Sequence, residues 1–333
     1  MQDGFGRNID YLRVSLTDKC NLRCRYCMPR DGVQRLSHDE ILSLEEWLRV
    51  IKIMQELGIR KVRFTGGEPL VRKNIIKLIE DVHELGGIEQ IAMTTNGILL
   101  GEMAAQLRCA GLTNVNVSLD TLNPETFKDI TGVDALDKVL SGIEEALNTG
   151  MKVKINCVPC REWNIDDICD VAELAKTHSL DVRFIELMPV GCGKEYHGIK
   201  SDEVLGILEG KFGSAHICDD IAMPERKIKA VAGPAQYYEF EGFCGRIGFI
   251  SAMSHKFCSE CNRVRMTAEG RLKLCLNYND GVELRPLLRD GSSDMQIKAA
   301  IMAAVMRKPG AHDFNDMSPE KEKEIRKMVQ IGG

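Results

Sequence analysis

Two groups of three cysteines are the residues whose spacing most directly indicates chemistry in this chain. The first group, Cys20, Cys24 and Cys27, has the spacing C-x3-C-x2-C in a segment expected to be a loop. Thiolates are soft ligands that suit zinc or an iron–sulfur cluster, but structural zinc sites are normally closed by four protein ligands. No fourth ligand is evident beside these cysteines. The spacing therefore favours a cluster with one position open to an exogenous ligand.

The second group, Cys258, Cys261 and Cys275, has the spacing C-x2-C-x13-C. His255 precedes this group and could complete a closed zinc site of three cysteines and one histidine. On spacing alone, a structural zinc site and an iron–sulfur cluster therefore both remain open.

Arg263 and Arg265 lie between the cysteines of the second group. Alternate residues of an extended segment point the same way, so the two guanidinium groups should lie together beside the metal. Paired guanidinium groups suit phosphate or another anion. The alternative is a basic strand edge in contact with solvent. The position beside three thiols favours an anion site.

Cys157 and Cys160 form a further C-x2-C pair at the end of an expected strand. This spacing could indicate a redox dithiol or another metal site. Free cysteine is among the most buried residue types, and Pro159 separates the pair where a redox motif would start a helix. We therefore expect both thiols to be buried and not to form a third metal site.

The overall composition excludes several classes of function. The chain has 333 residues, and its 44 Lys and Arg against 49 Asp and Glu give a net charge of -5. Such a protein offers no polycationic face to nucleic acid or to an anionic membrane, so any anion must bind at a local site. No apolar run could span a bilayer and no signal peptide is evident, so we expect a cytoplasmic protein with reduced thiols.

The elements that must position these residues alternate along the first part of the chain. Six β-branched runs are separated by amphipathic segments, of which residues 44–57, 74–85 and 136–147 are the clearest helices. This alternation predicts a parallel sheet with its functional residues at the carboxyl ends of the strands. Six units fall short of the eight of a standard barrel, so periodicity does not decide between an open sheet and a barrel. The runs are Tyr11–Leu16, Lys61–Thr65, Gln90–Thr95, Asn114–Leu119, Lys152–Cys157 and Asp181–Leu187.

The pattern changes towards the carboxyl end, and we expect a domain boundary near residue 216, with residues 1–216 and 217–333 as the two parts. The second part carries its own cysteine group and should be an extension built around a metal. No low-complexity linker is evident, so the two parts should pack firmly. Helices are predicted over residues 201–211, 294–306 and 319–329, and strands over residues 237–241 and 246–250.

The first cysteine group resembles that of the radical S-adenosylmethionine superfamily. Tyr26 directly precedes its last cysteine, and Gly66-Gly67-Glu68-Pro69 follows the next expected strand. The resemblance implies a 4Fe-4S cluster on the three cysteines, with S-adenosylmethionine on its open iron and reductive cleavage to a 5′-deoxyadenosyl radical. It also implies an α/β fold, a partial (βα)6 TIM-like barrel whose side is closed by a C-terminal α+β iron–sulfur extension.

Further motifs narrow the resemblance to the GTP 3′,8-cyclase family. These motifs occur in the family's order and extend along nearly the whole chain. The match is weakest over residues 192–236. It implies that the radical removes hydrogen from ribose C3′ of GTP, that C3′ then attacks guanine C8, and that the product is 3′,8-cyclo-7,8-dihydro-GTP. This reaction is the first step of molybdenum cofactor biosynthesis. The matching segments are FGRNIDYLRVSLTDKCNLRCRYCMP, RFTGGEPLVR, TTNG, VSLDTL, KINCV, RFIELMPVG, CSECNRVRMTAEGRLKLC and the terminal Gly332-Gly333.

The same resemblance implies roles for individual residues. The second cysteine group would hold a second 4Fe-4S cluster whose open iron binds the guanine of GTP, so His255 would not be a ligand. Because Thr95 follows Thr94 directly, which of the two threonines contacts GTP stays open. Arg183 could reach the substrate or form an ion pair with Glu186 or another acid. The implied GTP contacts are Arg13, Arg63, Thr94, Lys154, Arg263, Val264 and Arg265; the S-adenosylmethionine contacts are Tyr26, Gly67, Ser118 and Met188; the catalytic residues are Arg13, Arg263, Arg265, Gly332 and Gly333.

The resemblance also implies partners, and two other functions remain as alternatives. The implied partners are an external one-electron reductant, a second copy in a homodimer, and cyclic pyranopterin monophosphate synthase, which takes the product. One alternative is a radical S-adenosylmethionine enzyme with an auxiliary cluster that modifies a peptide or another small molecule. The other is a non-catalytic zinc or iron–sulfur scaffold. The paired arginines and the Gly-Gly end argue against the first, and metal and sulfide analysis separates the second.

Overall fold

The computed structural model describes residues 1–218, 234–314 and 323–332 of the chain. Within these residues one sheet of twelve strands is packed against helices. The strands are β1 (Tyr11–Ser15), β2 (Lys61–Thr65), β3 (Gln90–Thr95), β4 (Asn114–Ser118), β5 (Lys152–Cys157), β6 (Asp181–Ile185), β7 (His216–Ile217), β8 (Gln236–Glu239), β9 (Ile247–Ile250), β10 (Arg263–Met266), β11 (Arg271–Lys273) and β12 (Gly281–Glu283). The helices are α1 (Leu44–Glu56), α2 (Ile75–Glu84), α3 (Leu100–Cys109), α4 (Pro124–Thr131), α5 (Leu136–Asn148), α6 (Ile168–Thr177), α7 (Ser201–Phe212), α8 (Arg285–Arg289), α9 (Asp294–Met306) and α10 (Met328–Ile331).

The first six strands form the parallel core of the sheet. β1 to β6 pair in chain order, each parallel to the next, and helices connect them. All six predicted strands are present, and each predicted end lies within two residues of the observed one. The helices predicted over residues 44–57, 74–85 and 136–147 are also present as α1, α2 and α5. These observations confirm the expected α/β fold and partial barrel.

Strands from the C-terminal part extend this sheet at both edges. β10 pairs parallel to β1, and β9 pairs parallel to β6. The antiparallel pairs β11–β12 and β8–β7 then lie outside β10 and β9. In the described residues the sheet runs from β12 to β7 without joining its two ends. The C-terminal part therefore flanks the barrel on both sides, which places Arg263 and Arg265 of β10 directly beside β1.

The two faces of the parallel strands have opposite chemical character. Leu12, Val14, Val62 and Phe64 are fully buried and belong to one apolar core with residues of the helices. The alternate residues on the other face are polar, although strands of a parallel sheet are usually apolar on both faces. A face lined by polar side chains indicates a chamber for a ligand rather than a packed interior. These inner residues include Tyr11, Arg13, Lys61, Arg63, Thr94, Asn116, Ser118, Lys154, Asn156 and Arg183.

One predicted helix is wrong over most of its described part. Of residues 319–329, residues 319–322 lie outside the described residues, 323–327 are not helical, and only 328–329 belong to a helix, α10. Lys323 forms a bridge with Tyr278, and the amide of Glu324 donates to the carbonyl of Asn277 at 2.8 Å. Tertiary pairing has overridden a helical pattern in the sequence, because local propensity contributes only weakly to the choice. Among the described residues, no helix is both long and apolar enough to cross a membrane.

Candidate functional site

A group of buried cations lies on the inner face of three neighbouring strands. Arg13 of β1 is in register with Arg63 of β2 on one side and with Arg265 of β10 on the other. Burial lowers the pKa of Arg13 well below its usual value, and Arg265 and Arg63 lower it further. Burial and the nearby Arg263 likewise lower the pKa of Arg265 to about 10. The group is costly without a counter-ion, so the structure is suited to bind a ligand with several negative charges.

Tyr11 lies within this group of cations, a position that the sequence analysis did not single out. Its hydroxyl accepts a hydrogen bond from Arg63 Nε at 2.5 Å, and Lys61 Nζ lies 4.7 Å from the centre of its ring. Burial raises the pKa of the phenol, but Arg63, Arg13 and Lys61 together lower it to about 7. Tyr11 therefore contributes negative charge beside the buried arginines.

Further polar residues line the same face on β3, β5 and β6. Lys154 donates to Asp181 and, at 2.8 Å, to the hydroxyl of Tyr237. Arg183 Nε donates to Asn156 Oδ1 at 3.0 Å. These contacts place Lys154 and Arg183 on the inner face, as their positions in the strands predict.

Hydrogen bonds show how Thr94, Thr95 and Glu186 are placed, three residues that the sequence left open. Arg63 Nη1 lies 3.5 Å from Thr94 Oγ1, whereas Thr95 is buried and donates to Glu68 Oε1 at 2.7 Å. Thr94 is therefore the threonine on the inner face. The ion pair considered between Arg183 and Glu186 is wrong, because Glu186 instead accepts hydrogen bonds from Ser201, Met253 and Ser254.

The first cysteine group lies in the loop after β1, as predicted. The amide of Cys27 donates to the carbonyl of Cys24 at 2.9 Å, and Asn96 Nδ2 lies 3.8 Å from Cys20 Sγ. The three thiols are close enough to raise one another's pKa, although burial is the larger cause and brings Cys27 to about 12. Three converging thiols are a donor set that fits an iron–sulfur cluster, because coordination to iron displaces the thiol protons.

The glycine pair after β2 supports the loop of the first cysteine group. The amide of Gly67 donates to the carbonyl of Thr17 at 2.6 Å, and a methyl group at Gly67 would lie 2.3 Å from the carbonyl oxygen of Lys19. Glu68 accepts hydrogen bonds from the amides of Leu70 and Asn96, and burial raises its pKa to about 7. The glycines therefore allow close packing of two loops, a reason in addition to the ligand contact that the sequence suggests.

A small pocket opens beside the first cysteine group and holds two of the predicted cofactor contacts. Tyr26 donates through its hydroxyl to Asp120 Oδ2 at 2.8 Å, and Asp120 Oδ1 accepts from the amide of Val158 at 2.8 Å. Burial raises the pKa of Asp120 to about 6. Ser118 also lines this pocket, while Met188 and Gly67 lie outside its lining. Asp120 and Asn96 also line it; both lie in motifs quoted above, but no role was predicted for them.

The second cysteine group lies at the start of β10 and after β11. The amide of His312 donates to Cys258 Sγ at 3.4 Å. Burial raises the pKa of Cys261, but Lys308 and Arg263 outweigh it and lower the pKa below its usual value. A positive setting and three thiols again fit an iron–sulfur cluster. Among the described residues, no three His, Cys, Asp or Glu groups lie close enough to hold a single metal ion.

Three other sequence predictions concern His255, Val264 and the pair Cys157 and Cys160. His255 is exposed and contacts Ser254, so it does not complete a closed zinc site with the thiols. Val264 is buried in the outer apolar core, so its side chain faces away from Arg263 and Arg265. Cys157 and Cys160 are both fully buried, which confirms that prediction.

The end of the described chain enters the cationic face. Arg265 Nη1 donates to the carbonyl of Gly332 at 2.6 Å. Gly332 has φ +76°, and a methyl group there would lie 2.8 Å from Thr65 Oγ1 and 2.9 Å from Ser15 Cβ. Only glycine combines this backbone conformation with so close an approach. Gly333, the other predicted tail residue, lies outside the described residues.

Comparisons with known proteins agree over the whole chain. A family model described as the radical SAM superfamily matches residues 14–175, and one described as Molybdenum Cofactor Synthesis C matches residues 180–314. A Clostridium perfringens (strain SM101 / Type A) protein named GTP 3′,8-cyclase is 46% identical over 333 residues, 100% of both chains. A protein of the same name from Syntrophomonas wolfei is 48% identical over 334 residues, also 100% of both chains.

Solved structures show the same fold at low sequence identity. Streptococcus suis SuiB bound to S-adenosylmethionine has a TM-score of 0.60 at 16% identity, covering 90% of this chain and 68% of that one. The same protein bound to its precursor peptide SuiA has a TM-score of 0.61 at 15% identity, covering 95% of this chain and 75% of that one. At this identity the likeness establishes the fold alone.

Substitution of Gly67 tests the packing of the first cysteine loop. We expect Gly67→Ala to destabilise the protein by at least about 2 kcal/mol, because its methyl group would overlap the backbone of Lys19. Denaturant unfolding of the metal-free protein measures this. Gly206→Ala is the matched control: nothing lies within 4 Å of a methyl group at that helical position, and it should stabilise by about 0.5–1 kcal/mol. Equal unfolding free energies in the two variants would contradict the packing.

Tyr11 should titrate near neutral pH in the protein without ligand. Its pKa of about 7 lies below the usual value of 10. The negative charge of the phenolate is therefore present above pH 7 and is lost as the pH falls through 7. Tyrosinate absorbance near 295 nm measures the titration, which should be absent in Tyr11→Phe and move to higher pH when inorganic triphosphate binds the cations. Tyr238→Phe is the control, since burial raises the pKa of that phenol. An unchanged titration in Tyr11→Phe would refute the assignment.

Proposed function

The chain belongs to the GTP 3′,8-cyclase family of radical S-adenosylmethionine enzymes, and from this premise we propose which of its residues hold the substrate and cofactors. It catalyses the cyclisation of GTP to 3′,8-cyclo-7,8-dihydro-GTP, the first step of molybdenum cofactor biosynthesis. The observation that carries the residue assignment is the buried cationic face of β1, β2 and β10, which lies between the two cysteine groups.

The enzyme uses two 4Fe-4S clusters and S-adenosylmethionine. In our proposal Cys20, Cys24 and Cys27 hold the first cluster, and Cys258, Cys261 and Cys275 hold the second. When bound, these groups supply the carbon radical that removes hydrogen from ribose C3′ and the open iron that receives guanine. The convergence of three thiols in each group supports this assignment.

The triphosphate of GTP is bound by the cationic face in this proposal. Arg13, Arg63 and Arg265 form its centre, with Arg263 beside the second cysteine group. Arginine forks bind phosphate oxygens in pairs, and burial strengthens each contact by excluding water. Lys154 and Thr94 bind the triphosphate from other strands of the same face. Lys154 would exchange part of its contact with Asp181 for a contact with the substrate.

The remaining predicted residues orient the cofactor and enclose the reaction. Tyr26 and Ser118 line the pocket beside the first cysteine group, so we assign them to S-adenosylmethionine together with Gly67 and Met188. Gly332 closes the cationic face through Arg265, and Gly333 would follow it. Reactants held between two rigid sites react as if in one molecule, and exclusion of water protects radical species.

The proposal also covers the partners of the enzyme and its location in the cell. An external one-electron reductant is required by the chemistry, and cyclic pyranopterin monophosphate synthase would consume the product. We further propose a homodimer and a cytoplasmic location, where thiols stay reduced before cluster assembly. We also propose that the chain divides into two domains at residue 216. Full-length relatives named as cyclases leave the peptide-modifying and scaffold alternatives without support.

The decisive test is anaerobic turnover of reconstituted enzyme with GTP deuterated at C3′. Deuterium should appear in 5′-deoxyadenosine, which mass spectrometry detects. Unlabelled 5′-deoxyadenosine formed regardless of GTP would point to another substrate for the same fold. No 5′-deoxyadenosine at all would contradict the radical chemistry.

Replacement of Arg265 tests the triphosphate site. Arg265→Ala should lower the yield of cyclised product at least about thirtyfold, because truncating one partner of a buried charge contact costs about 2–5 kcal/mol. Cleavage of S-adenosylmethionine, measured separately, should persist. Arg271→Ala is the matched control, since that arginine lies on the neighbouring strand and pairs with the exposed Glu283. Product yield equal to that of the control would remove Arg265 from the site.

A further inference from the structure

The C-terminal strap, defined as residues 323–332, runs from the hairpin of β10 and β11 past the first cysteine group to the cationic face. It begins at the bridge between Lys323 and Tyr278 and packs against the loop after β6, where a methyl group at Gly191 would lie 3.0 Å from Lys327 Cα. The backbone of Val329 hydrogen-bonds Cys27 of the first cysteine group. The strap then ends at Gly332 against Arg265. The strap therefore links its start beside Tyr278 to its tip on the cationic face.

A buried ion-pair network holds that start. Lys273 and Glu324 form a salt bridge with side-chain exposures of 0% and 1%. Arg326 binds the same carboxylate through Nε and Nη2, each at 3.0 Å, and its third nitrogen binds Glu269 at 2.5 Å. Lys273 Nζ also donates to the carbonyl of Tyr278 at 2.8 Å. Nothing in the proposed chemistry uses these four side chains.

The network lies directly opposite the residue that holds the tip. Lys273 of β11 is the cross-strand partner of Arg265 of β10 in an antiparallel pair. Side chains that are directly opposite in such a pair point to the same face. One residue of the pair therefore binds the start of the strap through Glu324, and the other binds its end through the carbonyl of Gly332. The strap between them is a loop closed at two adjacent points of one hairpin.

A buried ion pair is a poor choice for stability alone. Desolvation of both charges offsets most of their attraction, and apolar residues of similar volume often serve as well or better. An ion pair with additional hydrogen bonds does, however, accept only one geometry. The network is therefore better explained by placement of the strap than by stabilisation of the hairpin.

We propose that Lys273, Glu324 and Arg326 are positioning residues that determine where Gly332 meets Arg265, and so the geometry of the proposed triphosphate site. The expected loss of GTP turnover rests on the proposed function. The expected placement of the strap tip does not. The placement of the strap tip is a property of the protein without GTP, so it can be measured independently.

The first test replaces the shared carboxylate. In Glu324→Gln, hydrogen exchange of the peptide covering residues 326–332 should accelerate at least about tenfold, because local opening becomes easier. Glu283→Gln is the matched control, since it breaks an exposed ion pair with Arg271 on the same hairpin and removes only a minor, non-bonded attraction to Arg326 of the strap. Exchange in the strap equal to that of the control would overturn the proposal.

The second test separates placement from folding. The triple variant Lys273→Met, Glu324→Met and Arg326→Met removes the three central charges of the network at similar volume and should keep its thermal midpoint within a few degrees of the wild type. After reconstitution to wild-type iron content, its kcat/KM for GTP should still fall about 100-fold, since small misplacements in a site carry that penalty. Wild-type strap exchange and wild-type kcat/KM in this variant would refute the proposal. Failure of the wild-type enzyme to cyclise GTP would instead refute the proposed function and leave the exchange result intact.

Discussion

The concentration of buried positive charge on one face of the sheet is the constraint on which the rest of the structure depends. Arg13, Arg63 and Arg265 are brought into register by parallel pairing of β10, β1 and β2. Like charges at this separation repel one another strongly where water is excluded. The fold must therefore be stable for reasons that have nothing to do with this face.

That stability comes from the opposite face of the same strands. Period-two alternation sends Leu12, Val14 and Phe64 into the apolar core beneath the helices while their neighbours point inward. A slip of one residue in register would bury the arginines among the helices and expose the apolar residues, so the pairing is strongly specified. The same hydrophobic core thus offsets the energetic cost of the charged chamber and holds its arginines in register.

Local patterns in the sequence were sufficient to predict the six parallel strands, because β-branched runs bounded by glycine and proline are a strong local signal for strands. They also placed Arg263 and Arg265 on one face. They could not show that β10 joins β1 or that β9 joins β6, since these pairings connect residues far apart in the chain. For the same reason the residues that hold the strap were missed: Lys273 and Glu324 are ordinary surface residue types until the fold brings them together.

Two of the described carboxylates beside the cationic face are placed where they do not compete with the substrate. Asp181 and Glu324 bind cations at the margins of this face, whereas Arg63 and Arg265 contact a phenol and a backbone carbonyl. A carboxylate at the centre would form strong paired contacts with arginine, which a phosphate could replace only by leaving the carboxylate buried without a partner. Tyr11 and Gly332 are weaker acceptors and can yield their arginines at lower cost. Arg63 and Arg265 therefore have partners in the folded protein and are still available to a triphosphate.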